Sequence, residues 1–202
     1  GTEDNRVRKL DYSIQISKLF YERFIKNADI TLFSPNHVPG LYEAFGMPEF
    51  DSLYLKYEKD KSIPKQTIGA QELFQALLKE RAETGRIYIM NLDHCNTHSS
   101  FKDKVYMSNL CQEITLPTTP VQHIDDKEGE IALCILSAVN LGLLTDMNEL
   151  EELCDLSVRA LDEIIDYQEY PVEAAKISAQ SRRSLGIGYI GLAHYLAKNQ
   201  VK

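Results

Sequence analysis

The stretch Ile131-Ala-Leu-Cys-Ile-Leu-Ser-Ala-Val-Asn-Leu141 carries the longest apolar run of the chain, Ile131 to Val139, with Gly129 before it and Gly142 after it. It is far shorter than the ~20 residues a membrane-spanning helix needs, so it belongs to a protein core. Periodicity alone does not separate a buried strand from a buried helix here, and that choice decides the fold. On its C-terminal side, Met147–Asp166 reads as an amphipathic helix, with Leu150, Leu153, Val158, Leu161 and Ile165 near one stripe. Cys154 falls on that stripe and reads as plain core. Val172–Lys198 reads as a last helical region, interrupted around Gly186–Gly191. On the N-terminal side, residues 118–130 form a turn-rich acidic connection, and Pro117 ends an extended segment, Asn109–Leu116. Asp93–Lys104 is a polar loop, and Arg86–Asn91 (RIYIMN) alternates like a short strand. Lys65–Glu83 reads as a helix, with Pro64 suited to its first turn and Gly85 past its end. Ser34-Pro35 and Pro39-Gly40 mark turns, with short helices around Leu41–Phe45 and Phe50–Tyr57. Leu10–Ile25 spaces Ile16, Leu19, Phe20 and Phe24 like one amphipathic helix.

At 202 residues the chain suffices for one domain with a sizeable core, or two small ones. A formal net charge of −8 argues against a nucleic-acid groove or an anionic membrane surface, because both need clustered Lys and Arg. The four cysteines (Cys95, Cys111, Cys134, Cys154) show no CxxC pairing, and no stretch of these residues reads as a targeting segment. A reducing cytoplasmic compartment is the expectation. Internal repeats and low-complexity segments are absent. The opening, Gly1 to Arg8, is polar and already mid-sequence in character, which reads as a piece of a longer protein or one polypeptide of a split one.

Chemistry concentrates in Ser108-Asn-Leu-Cys-Gln-Glu113. Extended backbone sends alternate side chains to opposite faces. A strand or extended loop here would aim Asn109, Cys111 and Glu113 one way and Leu110 the other, with neighbours in the trio roughly 7 Å apart. On spacing alone, a buried structural cysteine with polar neighbours is the better reading, since cysteine is among the most buried residue types. Electrostatics sharpen the alternative. A carboxylate beside a thiol disfavours the thiolate, the wrong arrangement for a cysteine nucleophile. It suits hydrogen-atom transfer by neutral sulfur, with the carboxylate left to take a proton from substrate.

Other candidates read as structural. Cys134 is a core cysteine from the chain alone, or one half of a redox pair. Asp93-His94-Cys95-Asn96-Thr97-His98 lacks a further ligand pair at zinc-site distance, so a loop bonding its own backbone is preferred to a metal site. Arg182 and Arg183 are solvated or paired rather than phosphate ligands. Gly186-Ile-Gly-Tyr-Ile-Gly191 matches GxGxxG without the strand before it and acidic residue after it that dinucleotide binding needs. Close helix packing accounts better for these glycines.

Three segments together, SNLCQEITLPT (Ser108–Thr118), RIYIMNLDHCNTHSSF (Arg86–Phe101) and GEIALCILSAVNLG (Gly129–Gly142), resemble the catalytic large (alpha) subunit of class I ribonucleotide reductase. The similarity is closest to the class Ia type of bacteria and their phages. It extends over the whole chain, through DITLFSP (Asp29–Pro35), VPGLY (Val38–Tyr42), RALDEIIDYQEYP (Arg159–Pro171) and RRSLGIG (Arg182–Gly188). The resemblance implies an α/β fold: a helix-rich part of a ten-stranded α/β barrel with a central finger loop around Cys111, and a buried strand for Ile131–Leu141. It implies a central barrel fragment over 1–202, with 1–85 mainly helical, 86–142 holding strands and finger loop, and 143–202 helical.

By position, Cys111 matches the thiyl-radical cysteine that abstracts the ribose 3′ hydrogen. Glu113 matches the general base for the 3′-hydroxyl proton, and Asn109 the amide that binds the ribose hydroxyls. Cys134 matches one of two redox-active cysteines that end as a disulfide. A shielded barrel interior would protect such a radical. The implied function is radical reduction of ribonucleoside diphosphates to deoxyribonucleotides for DNA synthesis. No metal or other cofactor is expected in this chain. A metal-containing small subunit supplies the radical, and ATP/dNTP effectors bind elsewhere in the subunit.

Expected partners are the rest of the large subunit, a second large subunit, the small subunit, and thioredoxin or glutaredoxin. The second redox cysteine, the activity-regulating nucleotide domain, the phosphate-binding strands, the radical-relay tyrosines and the C-terminal tail lie outside these residues. The chain alone is therefore expected to be inactive and poorly stable as a monomer, with exposed strand edges. An adenosylcobalamin-dependent reductase, or a non-catalytic fragment that only binds partner subunits, are the alternatives.

Overall fold

A computed structural model describes residues 10–201, so the polar opening Gly1–Arg8 lies outside the described residues. The chain is mixed α/β and divides into two compact units, one ending at Pro117 and the other beginning at Thr118.

The first unit runs β1 (Tyr12–Ile16), α1 (Lys18–Ile25), β2 (Asp29–Phe33), a 3₁₀ turn (Pro35–His37), α2 (Leu41–Ala44), α3 (Phe50–Lys59), β3 (Lys65–Gly69), α4 (Ala70–Thr84), β4 (Ile87–Asn91) and α5 (Leu92–Thr97). β1 pairs in parallel with β4, and β2 antiparallel with β3. The strand at Arg86–Asn91, the short helices and the glycine stop at Gly85 agree with the sequence. Gly85 closes α4 in the left-handed conformation (φ +68°), its N–H bonded to Arg81 O at 2.8 Å.

Three expectations need correction. Leu10–Ile25 is not one helix, because Tyr12–Ile16 forms β1, with Ile14 beside Ile89 of β4. Extended Ser17 (φ −96°, ψ 162°) separates that strand from α1. Lys65–Gly69 is likewise a strand, drawn out of the expected Lys65–Glu83 helix by β2, which local periodicity did not reveal. Both strands owe their state to partners remote in sequence. Part of the Asp93–Lys104 loop is helical: α5 covers Leu92–Thr97 because Leu92 is buried against Met90 and Val105.

The core of this unit is aromatic. Phe45 and Phe50 meet edge to face at 4.8 Å between ring centroids. Tyr54 carries a polar handle into the core: its hydroxyl donates to Thr31 O and accepts from Thr31 N–H, both at 2.7 Å. Arg23 grips Glu58 through two N–H···O contacts of 2.5 Å, and Thr31 Oγ1 donates to Glu58 Oε1 at 2.7 Å. That guanidinium holds the Glu58 carboxyl below its ordinary range.

The second unit contains β5 (Ile135–Asn140), a 3₁₀ turn (Leu141–Leu143), α6 (Glu149–Tyr167), α7 (Glu173–Arg182), β6 (Leu185–Ile190) and α8 (Leu192–Lys198). Only the later part of the apolar run is a strand, paired in parallel with β6. It is not the buried strand expected over Ile131–Leu141: Val139 is its one buried residue, because no further strand or layer covers the exposed side of Leu136 among the described residues. The interruption expected inside Val172–Lys198 is itself a strand. The helix over Met147–Asp166 forms, but its buried seam is narrow: Leu161 and Ile165 are buried while Val158 is exposed. Cys154 is exposed too, contrary to the core reading.

Each of the three sheets among the described residues has two strands, and none closes into a barrel. Every strand therefore leaves an unpaired edge, and Leu136, Tyr189 and Ile190 stand exposed on β5 and β6. No helix among the described residues is long and apolar enough to cross a membrane.

Candidate active site

The loop that carries Cys111 is held at its base by two amide side chains. Asn96 of α5 pairs with Val105 as a strand neighbour would, accepting from Val105 N–H (2.8 Å) and donating to Val105 O (3.0 Å). Gln15 of β1 donates to Tyr106 O at 2.6 Å. Val105 and, at the far end, Pro117 are fully buried. Between these anchors the chain projects as a loop.

The expected extended geometry does not form at the centre of that loop. Leu110 and Cys111 lie in a turn closed by Gln112 N–H to Asn109 O (3.2 Å), and Gln112 takes a left-handed conformation with φ +67°. The chain therefore reverses at the cysteine, and the trio does not lie along one strand face. Asn109 and Glu113 instead clasp each other, Asn109 Nδ2 donating to Glu113 Oε1 at 2.6 Å. Asn109 Oδ1 faces the other way and accepts from Ile114 N–H and from Ser108 Oγ, each at 3.1 Å. Because Ile114 N–H can only donate, it fixes which end of the amide is oxygen. The Ser108 hydroxyl has one hydrogen, which Asn109 Oδ1 shares with the nearer acceptor, Ile114 O.

Cys111 stands at the tip and is exposed, as are Asn109 and Glu113, so the described residues do not supply the expected shielding. The walls that would supply it would have to come from strands beyond the two-stranded sheets present. A hollow of about 160 Å³ lies between the loop and the N-terminal ends of β1 and β4, lined by Ser108, Asn109 and Gln112 with Tyr12, Ser13 and Tyr88. Ser108, Gln112 and Gln15 had no role in the sequence reading, whereas Asn96 belongs to the segment read as bonding backbone, and its contacts with Val105 are of that kind. The Ser-Asn pair at the start of the motif was the available signal, since both types bond nearby backbone and start turns.

Cys134, in the second unit, is half-buried just before β5. Its sulfur rests over Gly186 of β6: a Cβ there would lie 3.1 Å from Cys134 Sγ and 2.5 Å from Leu136 Cδ2. This corrects the helix-packing explanation of the GxGxxG match. Gly186 and Gly188 lie inside a strand, and Gly186 admits side chains of the paired strand. Gly191, with φ +71°, sits against the Asn140 side chain where α8 begins.

Arg182 pairs with Glu130 at 2.6 and 3.0 Å, and Arg183 with Asp162 and Asp166, in line with the paired reading of these arginines. Asp126 accepts from the N–H groups of Gln122 and Glu128, both at 2.8 Å, which lowers its pKa and fixes the acidic connection. Among the described residues, no group of three His, Cys, Asp or Glu side chains could hold a metal ion.

The family described as "Ribonucleotide reductase, barrel domain" matches residues 1–202. The chain belongs to the ribonucleotide reductase family. It is 60% identical over 207 residues to the ribonucleoside-diphosphate reductase subunit alpha of Haemophilus influenzae, covering 100% of this chain. It is 59% identical over 204 residues to the ribonucleoside-diphosphate reductase 1 subunit alpha of Escherichia coli, covering 98% of this chain. The subunit alpha of Enterobacteria phage T4 is 44% identical over 207 residues, again covering 98%. The chain spans 27% of the length of each of these relatives. The reductase barrel domain is thus represented here by one segment.

Proposed function

We propose that this segment carries the radical-bearing loop of a ribonucleoside-diphosphate reductase, within a ten-stranded barrel in which the Cys111 loop is the central finger. The observation that carries the reading is the Asn109–Glu113 hydrogen bond beneath Cys111. It sets an amide and a carboxylate side by side at the foot of a projecting thiol. In the proposed reaction the Cys111 sulfur, as a thiyl radical, takes the 3′ hydrogen atom of the ribose and becomes a thiol. Glu113 accepts the 3′-hydroxyl proton, Asn109 binds the ribose hydroxyls, and the 2′-hydroxyl leaves as water with a proton from the redox dithiol. After reduction the Cys111 thiol returns its hydrogen atom to C3′ and is a thiyl radical again. Cys134 and a cysteine elsewhere in the subunit supply two reducing equivalents and end as a disulfide. General-base help of this kind contributes about 10²–10⁴-fold.

The radical itself comes from a metal-containing small subunit, and thioredoxin or glutaredoxin restores the dithiol. A second large subunit, the ATP/dNTP effectors bound elsewhere, and a cytoplasmic setting complete the proposal. Identity to alpha subunits named as ribonucleoside-diphosphate reductases supports the diphosphate substrate class. The test is reconstitution. The chain is combined with the complementary segments of the subunit and with the small subunit, and reduction of a ribonucleoside diphosphate is measured for the parent and Cys111→Ser. Turnover by the parent and none by the variant is expected; equal turnover by both would refute the assignment of Cys111.

A further inference from the structure

Ser108 opens the motif and has no part in the chemistry proposed above, yet its hydroxyl closes the loop. Ile114, the residue after Glu113, has neither its N–H nor its C=O in a backbone ladder. Its N–H goes to Asn109 Oδ1 at 3.1 Å, and its C=O accepts from Ser108 Oγ. Two consecutive side chains on the way into the turn therefore hold both polar backbone groups on the way out. The same Ser108 hydroxyl lies 3.1 Å from Asn109 Oδ1, so one group touches both the amide and the return strand. The span between, with exposed Cys111 and left-handed Gln112, is otherwise bonded only through Asn109, which takes the Gln112 N–H on its carbonyl and donates to Glu113 from its amide. Ser108 itself is half-buried, so its bonds are partly shielded from competing water.

We propose that Ser108 is a positioning residue, a clamp that fixes Glu113 against Asn109 and thereby sets both groups relative to the Cys111 sulfur. The inference rests on the assignment of those three residues under the proposed function. It assigns Ser108 no contact with substrate, so its removal acts through geometry. When the hydroxyl is lost, Ile114 O loses its donor, the two arms of the turn separate, and Glu113 drifts from Asn109. A displacement of about 1 Å in a reacting constellation can cost up to ~10²-fold in rate. A partial opening, with the Ile114 N–H bond kept but opening more often, is expected to cost about tenfold. The loss falls mainly on kcat rather than KM, because Asn109 keeps its bond from Ile114 N–H and with it its place for the ribose hydroxyls, while Glu113 is the group that moves.

The test uses the complete large subunit with its small subunit, and compares Ser108→Ala, Ser108→Thr and Cys111→Ser with the parent. Ser108→Ala is expected to lower kcat about tenfold with KM within about twofold, and to speed hydrogen exchange at the Ile114 amide. Ser108→Thr keeps the hydroxyl and is expected to restore most of the activity and of the amide protection. A parental kcat in Ser108→Ala, a change confined to KM, or equal losses in the Ala and Thr variants would each overturn the clamp. Cys111→Ser separates this from the underlying reading. Turnover surviving in that variant overturns the site assignment on which the clamp stands, whereas an inactive Cys111→Ser beside an unaffected Ser108→Ala overturns the clamp alone.

Discussion

Gly186→Ala sets a packing effect against a conformational one at the Cys134 thiol. The new methyl would lie 2.5 Å from Leu136 Cδ2 and 3.1 Å from Cys134 Sγ. Leu136 is 62% exposed, so its branched end can swing into solvent. Leaving its rotamer costs about 0.5–1.5 kcal/mol. Gly186 does not need a positive φ, and alanine at a compatible position recovers roughly 0.4–1 kcal/mol by restricting the unfolded chain. These contributions nearly cancel, so net stability should change by no more than about 1 kcal/mol.

The sulfur has less freedom. It is half-buried and must yield by a few tenths of an ångström, while the methyl narrows the space beside it. Urea denaturation would read the stability, and peptide-resolved alkylation followed by mass spectrometry would read Cys134 against Cys111 and Cys154. The expected result is near-parental stability with several-fold slower modification of Cys134 alone. A loss above about 3 kcal/mol, beyond ordinary overpacking, would show that Leu136 cannot move aside. An unchanged Cys134 rate would show that the glycine does not serve the thiol.

Tyr54→Phe removes the hydroxyl that bonds both polar backbone groups of Thr31. Leaving those buried groups unpaired should cost about 1–3 kcal/mol in a denaturation midpoint, and an unchanged midpoint would mean water replaces the hydroxyl. Glu58 is held below its ordinary value of 4.5, chiefly by its hydrogen bonds from Arg23. The folded chain therefore binds fewer protons there than the unfolded chain. The stability this contributes is complete above about 4.5 and is lost as pH falls through the depressed folded value. Arg23→Met should flatten that acid limb of stability against pH, and an identical limb in both proteins would contradict the assignment. Cys154→Ser should alter stability by no more than about 0.5 kcal/mol, as expected of an exposed position; a loss of 2 kcal/mol or more would restore the core reading.

What the sequence determined by itself were features set by short-range rules. The alternating RIYIMN strand, the glycine that stops α4 and the long helix α6 all depend on neighbours within a few residues. The motif Asn109-x-Cys111-x-Glu113 gave the residue types, and the shared segments gave the family. Tertiary structure decided what depends on remote partners. Tyr12–Ile16 and Lys65–Gly69 are strands because β4 and β2 lie beside them, although their local patterns read as helix. Leu92 is buried and nucleates α5 inside what reads as a polar loop. The active-site geometry is the sharpest case. Alternation along a strand would have placed three side chains on one face, but side-chain bonds from Ser108 and Asn109 to Ile114 fold the segment back on itself. Cys111 is thereby at the apex and Asn109 and Glu113 in contact, because satisfying two backbone groups across a turn outweighs the preference of isolated backbone for extension.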